Sequence, residues 1–326
     1  MKPILIHTHF HKRRTGVTRS IENVFSYFAT NYESYVYGNT VNAPKISTFR
    51  LASLLFSKRK IVVHCHRNNE ILRMLFFRFF GAKFKLFATR HAESTPSKFT
   101  LWLLQKADTV ITLIQSMSAN LGIENTVVGH GVLVDVFAPK PECTLDTILQ
   151  KNLIICVGRV RKSKGQIVLL EAVKALKDHP EWALAIVGKV DQPDFLEVLK
   201  NLVKLYAIEN QVYFKEETPE IISYYQAAKI VIAPSFSEGF SLVTAEGMSC
   251  GCTVIATKNV GVHSSLITHA KNGYLFEAGN SSELKQLIQQ LIQEELPFVG
   301  EKAREEIVAN WSAKKEADLL MQLYQK

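Results

Sequence analysis

Leu153-Ile154-Ile155-Cys156-Val157-Gly158-Arg159-Val160-Arg161-Lys162-Ser163-Lys164-Gly165 is an apolar run that stops at a glycine and enters a basic loop. Five apolar residues in succession suit a strand buried on both faces of a parallel sheet. The amphipathic stretch 166–178 follows at once, so the segment reads strand, loop, helix. The same order recurs along the chain. Apolar, β-rich runs fall at 4–7, 35–37, 61–64, 85–89, 109–113 and 126–128, and again at 153–157, 183–187, 212–214, 230–233, 253–256 and 273–276. Helical patterns such as 282–295 lie between them. Strands alternating with helices predict α/β architecture with doubly wound sheets.

A chain of 326 residues is long for one core, because single cores stop growing at roughly 250–300 residues. Two domains are expected, over 1–138 and 150–309. The segment 138–149, with Pro139 and Pro141, reads as the linker. The stretch 303–324, with Trp311, reads as a terminal helix.

Several classes drop out early. Residues 1–14 carry only Ile4, Leu5 and Ile6 as an apolar run, short of the roughly 7–15 residues of a signal peptide. No run approaches the roughly 18 apolar residues of a membrane span. The five cysteines (65, 143, 156, 250 and 252) are odd in number and scattered, which predicts a reducing, cytoplasmic setting rather than a disulfide framework. Cys250-Gly251-Cys252 lacks zinc or redox spacing and reads as small buried residues at a tight turn.

Lys and Arg number 39 against 30 Asp and Glu, a net charge of +9. Residues 1–140 hold 19 basic and 7 acidic side chains, a net of +12, which leaves −3 for the remainder. Such asymmetry predicts separate tasks and an anionic partner for the first half. Nucleic acid is one such partner, but no aromatic-basic RNA motif or recognition helix stands out.

In doubly wound sheets ligands sit beyond the carboxyl ends of strands. After 153–157, Gly158 permits close backbone approach, Arg159 and Lys164 add cations, and a helix N-terminus follows. That combination suits a diphosphate; a solvated basic loop is the alternative. It is neither a Walker loop nor a G-x-G-x-x-G. After 230–233 comes Pro234-Ser235-Phe236-Ser237-Glu238-Gly239-Phe240-Ser241-Leu242-Val243-Thr244-Ala245-Glu246. Glu238 falls in a loop and can bind sugar hydroxyls. Glu246 falls two turns into the next helix among small apolar residues. A buried carboxylate needs a partner, which points to a ligand such as a ribose diol; a solvent-exposed helix residue is the alternative.

Ser237-Glu238-Gly239-Phe240 … Glu246, Gly158-Arg159 … Lys164-Gly165, Val260-Gly261-Val262 and Asn272-Gly273-Tyr274 together resemble retaining nucleotide-sugar glycosyltransferases of group 1 (family 4 type) with the GT-B fold. The resemblance covers essentially the whole chain. It implies two Rossmann-like domains facing across a cleft, the second binding the nucleotide sugar and the first the acceptor, with a final helix of about 310–326 returning to the first. It further implies Arg159 and Lys164 as diphosphate ligands, Glu246 as the ribose ligand and Glu238 as the residue holding the donor sugar. Phe240, Ser241 and Leu242 would contribute main-chain contacts. Arg14-Thr15-Gly16-Val17-Thr18 resembles the family's glycine loop, making Gly16 a donor-phosphate contact, although many relatives have a second glycine there. His91 matches a histidine near the donor sugar. His130-Gly131-Val132 … Asp135 … Phe137 resembles a segment before the hinge, with its Asp displaced by two positions.

Residues 12–18, His66-Arg67-Asn68-Asn69-Glu70 and 102–112 resemble, more narrowly, lipopolysaccharide core mannosyltransferases that act on inner-core Kdo with GDP-mannose. That likeness implies Arg14, Arg67, Asn69 and Glu70 at the acceptor, a Kdo-type anionic glycolipid, and a peripheral site on the inner face of the cytoplasmic membrane. A UDP-sugar transferase with another glycan or lipid acceptor is the alternative, as is a non-catalytic sugar-nucleotide binder. A sugar-nucleotide epimerase or a glycan phosphorylase shares parts of the fold. The family is generally metal-independent, so no cofactor is expected beyond the co-substrate.

Two features stand apart. His7, His9 and His11, with His64 and His66, alternate along extended segments and so share a face. Hydrogen bonding at strand ends is expected of them rather than metal ligation, since no Asp, Glu or Cys set lies at zinc spacing. Residues 72–87 carry Phe76, Phe77, Phe79, Phe80, Phe84 and Phe87 among Arg and Lys; a buried helix leading into a core strand is expected over a membrane-facing one.

Overall fold

Every apolar run becomes a strand. The computed structural model describes residues 1–326 and contains two six-stranded sheets. In the first, β1 (Ile4–His9), β2 (Glu33–Gly38), β3 (Ile61–Cys65), β4 (Lys85–Thr89), β5 (Thr109–Thr112) and β6 (Thr126–Val127) lie in the order β2-β1-β3-β4-β5-β6, all parallel. Helices α1 (Gly16–Phe25), α2 (Thr48–Leu55), α3 (Asn68–Phe79), α4 (Lys98–Leu104) and α5 (Gln115–Ala119) connect them.

The second sheet is built from β7 (Asn152–Val157), β8 (Trp182–Val187), β9 (Val212–Lys215), β10 (Ala228–Ala233), β11 (Thr253–Thr257) and β12 (Tyr274–Phe276), in the parallel order β12-β11-β10-β7-β8-β9. Its helices are α6 (Gln166–Val173), α7 (Pro193–Leu205), α8 (Ile221–Ala227), α9 (Leu242–Ser249), α10 (His263–Leu266), α11 (Ser281–Ile292) and α12 (Gly300–Asn310), and α13 (Ala313–Gln325) ends the chain.

The chain divides into two compact units, Met1–Gly131 with Trp311–Lys326, and Val132–Asn310. The second begins before the proline-bearing segment: Ser249 Oγ donates to the Phe137 carbonyl at 2.6 Å, and Phe137 packs on Tyr225 at 5.8 Å between ring centroids. The expected single terminal helix is in fact two. Helix α12 stops at Asn310, and the Ser312 hydroxyl caps α13 by accepting from the Lys315 N–H at 3.3 Å. On the first sheet, α13 lays Leu320, Leu323 and Tyr324 against Leu5, Phe28 and Phe87.

On the opposite face of that sheet, Leu51, Leu54 and Leu55 of α2, Ile71 and Met74 of α3, and Leu103 and Leu104 of α4 enter one core. Here the structure corrects the expectation of a buried α3. Ile71 and Met74 are one turn apart and make the only fully buried apolar stripe, so the next turn carries Phe76, Phe79 and Phe80 outward. The core strand that follows, β4, is as expected.

The sheet orders locate the places where ligands belong. In the first unit the chain leaves β1 for β2 on one side and then crosses to β3 on the other; in the second it leaves β7 for β8 and β9, then crosses to β10. The carboxyl ends of β1 and β3, and of β7 and β10, therefore flank the switch points where doubly wound sheets bind ligands.

Candidate active site

In the second unit the loops after β7 and β10 are held together. The Phe236 N–H donates to the Ser163 carbonyl at 3.0 Å. Gly165, at φ +71°, lets the loop pass so close to β10 that a Cβ there would lie 1.9 Å from the Pro234 carbonyl oxygen. This contact sets Lys164 against Glu238. Its ammonium pairs with Glu238 Oε1, which also accepts from Ser235 Oγ at 2.7 Å. The two side chains are 16% and 13% exposed. Burial pushes the Glu238 carboxyl up, but the Lys164 charge, the hydrogen bonds from Lys164 and Ser235, and His263 outweigh it and hold the group below the usual carboxylate range. Gly261 closes the other side: a Cβ on it would stand 2.7 Å from Glu238 Cβ.

Arg159 leaves the same loop and meets Asp191 at 3.2 Å, while Gln166 Nε2 donates to the Arg159 carbonyl at 2.9 Å. Ser241 precedes α9 at φ +69°, a sparsely populated conformation for a side-chain-bearing residue, and no side chain caps the helix. The first-turn amides of α9, from Leu242 onward, thus lack side-chain acceptors beside Glu238. Phe240, just before the helix, is buried. Two cations, an uncapped helix N-terminus and a hydrogen-bonding carboxylate meet at one switch point, and that set can hold a sugar diphosphate.

Glu246 differs from its expectation. Glu238 lies in the loop as expected, but α9 begins at Leu242, so Glu246 falls just over one turn into the helix rather than two. Glu246 is 1% exposed, but its partner is internal: Tyr225 Oη donates to Oε2 at 2.9 Å. The need for a ligand to satisfy it therefore falls away. Tyr225 was missed because it lies on α8, before β10 rather than after the carboxyl end of a strand. His263 was missed although it follows β11; it is fully buried near Glu238, its Nδ1 at 2.9 Å from the Thr257 carbonyl and its Nε2 without a partner.

In the first unit Thr15 caps α1 and forms a reciprocal capping box with Thr18, which leaves Gly16 exposed with nothing within 4 Å of where a Cβ would stand. Arg14 is exposed and paired with Glu22 at 2.6 Å. Arg67 ends the loop after β3, with its Nε buried and unpartnered, and Asn69 is exposed. Glu70 contradicts its assignment to the acceptor. It is 0% exposed and accepts from the Phe10 N–H at 3.0 Å, Thr8 Oγ1 at 2.9 Å and the His66 N–H at 2.8 Å, so it ties β1 to β3. Burial pushes its carboxyl up despite those three donors.

The histidines meet at the carboxyl edge of the first sheet. His91, after β4, has its Nε2 at 3.1 Å from His66 Nδ1 and its Nδ1 at 3.2 Å from His130 Nε2. His9 bonds Thr18 at 3.1 Å, and His64 joins Tyr324 Oη at 2.6 Å to Thr89 at 2.7 Å. Burial holds His7 down at about 3, and burial with neighbouring rings keeps His64, His66 and His91 well below the ordinary imidazole value. Nitrogens of His7, His64 and His66 lie within 4.8 Å of one another. Their rings stack, however: His64 on His66 at 4.5 Å and 24°, His7 on His66 at 5.4 Å and 14°. His7 and His64 are tilted by 38° at 5.0 Å, so the three rings pack as one group.

A model of the glycosyl transferases group 1 family matches residues 146–313, just over half of the chain. The chain belongs to this family. The glycosyltransferase is 28% identical to the lipopolysaccharide core biosynthesis mannosyltransferase LpcC of Rhizobium leguminosarum bv. viciae over 337 residues, 98% of this chain and 95% of the relative. It is 30% identical to the lipopolysaccharide core biosynthesis mannosyltransferase LpsB of Rhizobium meliloti over 216 residues, 64% of this chain and 61% of the relative. Among solved structures, Anabaena Alr3699/HepE in complex with UDP superposes with a TM-score of 0.85 over 100% of both chains at 17% identity. That likeness gives the glycosyltransferase the GT-B fold.

Proposed function

We propose that this glycosyltransferase is a retaining enzyme that moves mannose from GDP-mannose onto an anionic, Kdo-type acceptor of the lipopolysaccharide core. The observation that carries donor binding is the Lys164–Glu238 pair beside Arg159 and the uncapped α9. Relatives named as lipopolysaccharide core mannosyltransferases support the sugar and the acceptor class.

Donor arrival exchanges partners. Lys164 turns from Glu238 to the diphosphate, and Glu238 becomes free to accept from sugar hydroxyls. Glu246 reaches the ribose only by sharing its carboxylate with Tyr225. The bond from C1 to the phosphate oxygen breaks through an oxocarbenium-like state, the acceptor oxygen bonds C1 from the same face, and its proton passes to the leaving phosphate. Arg159, Lys164 and the α9 amides stabilise the departing charge, each donor of this kind being worth roughly 10²–10³ in rate. We propose no metal for this step, since those cations stand where a metal's charge would be needed. His91 touches substrate through a ring nitrogen.

The acceptor is read as membrane-borne. No helix is long and apolar enough to cross a membrane. Phe76, Phe79, Phe80, Phe99 and Trp102 of the α3–α4 region are 47–84% exposed. At ~200 Å² per aromatic their exposed fractions sum to on the order of 600 Å². Residues 48–107 hold 12 Lys and Arg against Glu70 and Glu93, a net of +10. Aromatic side chains among cations suit an anionic lipid surface.

The test is a thermal-shift panel of GDP-, UDP- and ADP-sugars followed by transfer to a Kdo-bearing acceptor. GDP-mannose at 100 times its Kd should add about 2.7 kcal/mol of stability. Preference for a UDP-sugar overturns the donor assignment, and a product of inverted anomeric configuration overturns retention.

A further inference from the structure

Four imidazoles and one carboxylate form an unbroken hydrogen-bonded chain along the carboxyl edge of the first sheet. Glu316 Oε1 of α13 lies 2.9 Å from His130 Nδ1, His130 Nε2 lies 3.2 Å from His91 Nδ1, His91 Nε2 lies 3.1 Å from His66 Nδ1, and His66 Nε2 lies 3.1 Å from His7 Nδ1. The other carboxylate oxygen of Glu316 accepts from the Gly131 N–H at 2.7 Å. His7 Nε2, at the far end, is buried and has no partner. The chain thus runs from α13 past the ends of β6, β4 and β3 to β1.

A neutral imidazole has one donor and one acceptor nitrogen, so each ring passes the direction of its hydrogen bond to the next. A carboxylate only accepts. With both Glu316 oxygens accepting, the hydrogen between them and His130 sits on His130 Nδ1. His130 Nε2 then accepts from His91 Nδ1–H, His91 Nε2 accepts from His66 Nδ1–H, and His66 Nε2 accepts from His7 Nδ1–H. This direction leaves the unpartnered His7 Nε2 as a bare lone pair, where the reverse direction would leave a buried N–H without an acceptor. His7 also lines a cavity with room for about one water, about 10 Å³, shared with Ser20, Thr89 and Glu316.

We propose that Glu316 is a positioning residue for the transfer reaction, which through His130 fixes the tautomer of His91 so that His91 presents its Nε2 as a hydrogen-bond acceptor. A substrate hydroxyl that displaces His66 from that nitrogen must donate to it. The terminal helix thereby sets the chemistry of a side chain 225 positions earlier in sequence (316 against 91). The proposal rests on the reading of His91 as a substrate-touching group, but its first readout needs no substrate, so the two fail separately.

The test uses the full chain labelled with ¹⁵N-histidine and read by long-range ¹H–¹⁵N correlation, the ten histidines being assigned by single substitution. In the wild type, His7, His66, His91 and His130 should all carry hydrogen on Nδ1. In Glu316→Gln the single amide oxygen is needed by the Gly131 N–H, which turns the NH₂ toward His130 and reverses the chain, so His91 should move to the Nε2–H form. Turnover in Glu316→Gln should fall at least ~10-fold, the scale of losing a residue that orients a functional histidine. A wild-type His91 already in the Nε2–H form overturns the proposal, and this reading stands even where the variant does not fold. A folded Glu316→Gln that keeps His91 as Nδ1–H overturns it too. A reversed tautomer with unchanged turnover removes His91 from the reaction and overturns the positioning role while leaving the chain intact.

Discussion

Lys164→Met separates an ion pair kept for structure from one kept for the donor. The wild-type pair is nearly buried, with side chains 16% and 13% exposed. Removing the ammonium leaves Glu238 in the same pocket with Ser235 and without its charge partner. Breaking a buried pair costs about 3–5 kcal/mol, and the residual solvent contact argues for the lower end, about 3 kcal/mol. For a unit of this size each kcal/mol moves the midpoint by roughly 2–4 °C, so Tm should fall by about 6–12 °C. Lys164→Met with Glu238→Gln removes both charges and should recover most of that loss, because neutral replacement of a buried pair is often close to neutral.

The pH profile gives a sign that packing loss cannot imitate. Wild-type Glu238 is held below its unfolded value, so its contribution is present above the ordinary carboxylate range and is lost as pH falls through the lowered folded value. Without Lys164, burial dominates and the carboxyl rises above its unfolded value. Its contribution is then present below the ordinary range and is lost as pH rises toward neutrality. Calorimetry from pH 4 to 7 should therefore show the variant's Tm deficit widening with pH. Turnover in Lys164→Met should drop at least ~10²-fold. A variant with wild-type turnover, or a Tm deficit that does not change over this range, refutes the assigned role of the pair.

Gly165→Ala should disable the same loop by backbone alone: its Cβ would stand 1.9 Å from the Pro234 carbonyl oxygen at φ +71°, so loss of the donor-induced thermal shift is expected with Arg159 and Lys164 both present. Glu70→Ala strands the Phe10 and His66 amides and should destabilise by about 2–3 kcal/mol in urea titration, whereas Glu70→Gln keeps an acceptor and should cost less; equal losses would return Glu70 to a role outside the β1–β3 tie. Phe79→Ser with Phe80→Ser should weaken cosedimentation with phosphatidylglycerol vesicles at least ~10-fold and leave the donor thermal shift intact; unchanged vesicle binding removes the α3–α4 face as the lipid contact.

How much could be read without coordinates follows from the range of each interaction. Strand positions were legible because burial on both faces leaves a local mark, and all twelve runs became strands within one or two residues of the expected ends. The break at Trp311-Ser312 was less visible, since an N-cap serine differs little from any helix-flanking serine. The loop cations and carboxylates were found by looking past strand ends, and Arg159, Lys164 and Glu238 do share one switch point. What could not be read was where a carboxylate's internal partner lies. Glu70 is met by amides from β1 and Glu246 by a tyrosine 21 positions away, and no local pattern separates such groups from ligand-binding ones. Likewise Glu316 is 186 positions from His130, and only the path of α13 back onto the first sheet joins them.

The charge asymmetry gains a physical division from the coordinates. In the loop after β7, Arg159 is paired with Asp191 and Lys164 with Glu238, inside a unit whose sequence is close to neutral. A diphosphate bound there, as proposed, would exchange one partner of these two cations for another and be only weakly screened. On the first unit Lys58, Lys60, Lys83, Lys85, Lys98 and Lys106 are exposed, and Lys106 lies over the Trp102 ring. Exposed charges lose their reach beyond a Debye length of about 8 Å at 0.15 M salt. Raising salt should therefore release the chain from anionic vesicles well before it weakens the donor-induced thermal shift. If both fell together, the two anionic partners would share one set of cations, and the division of charge between an acceptor unit and a donor unit would have no functional meaning.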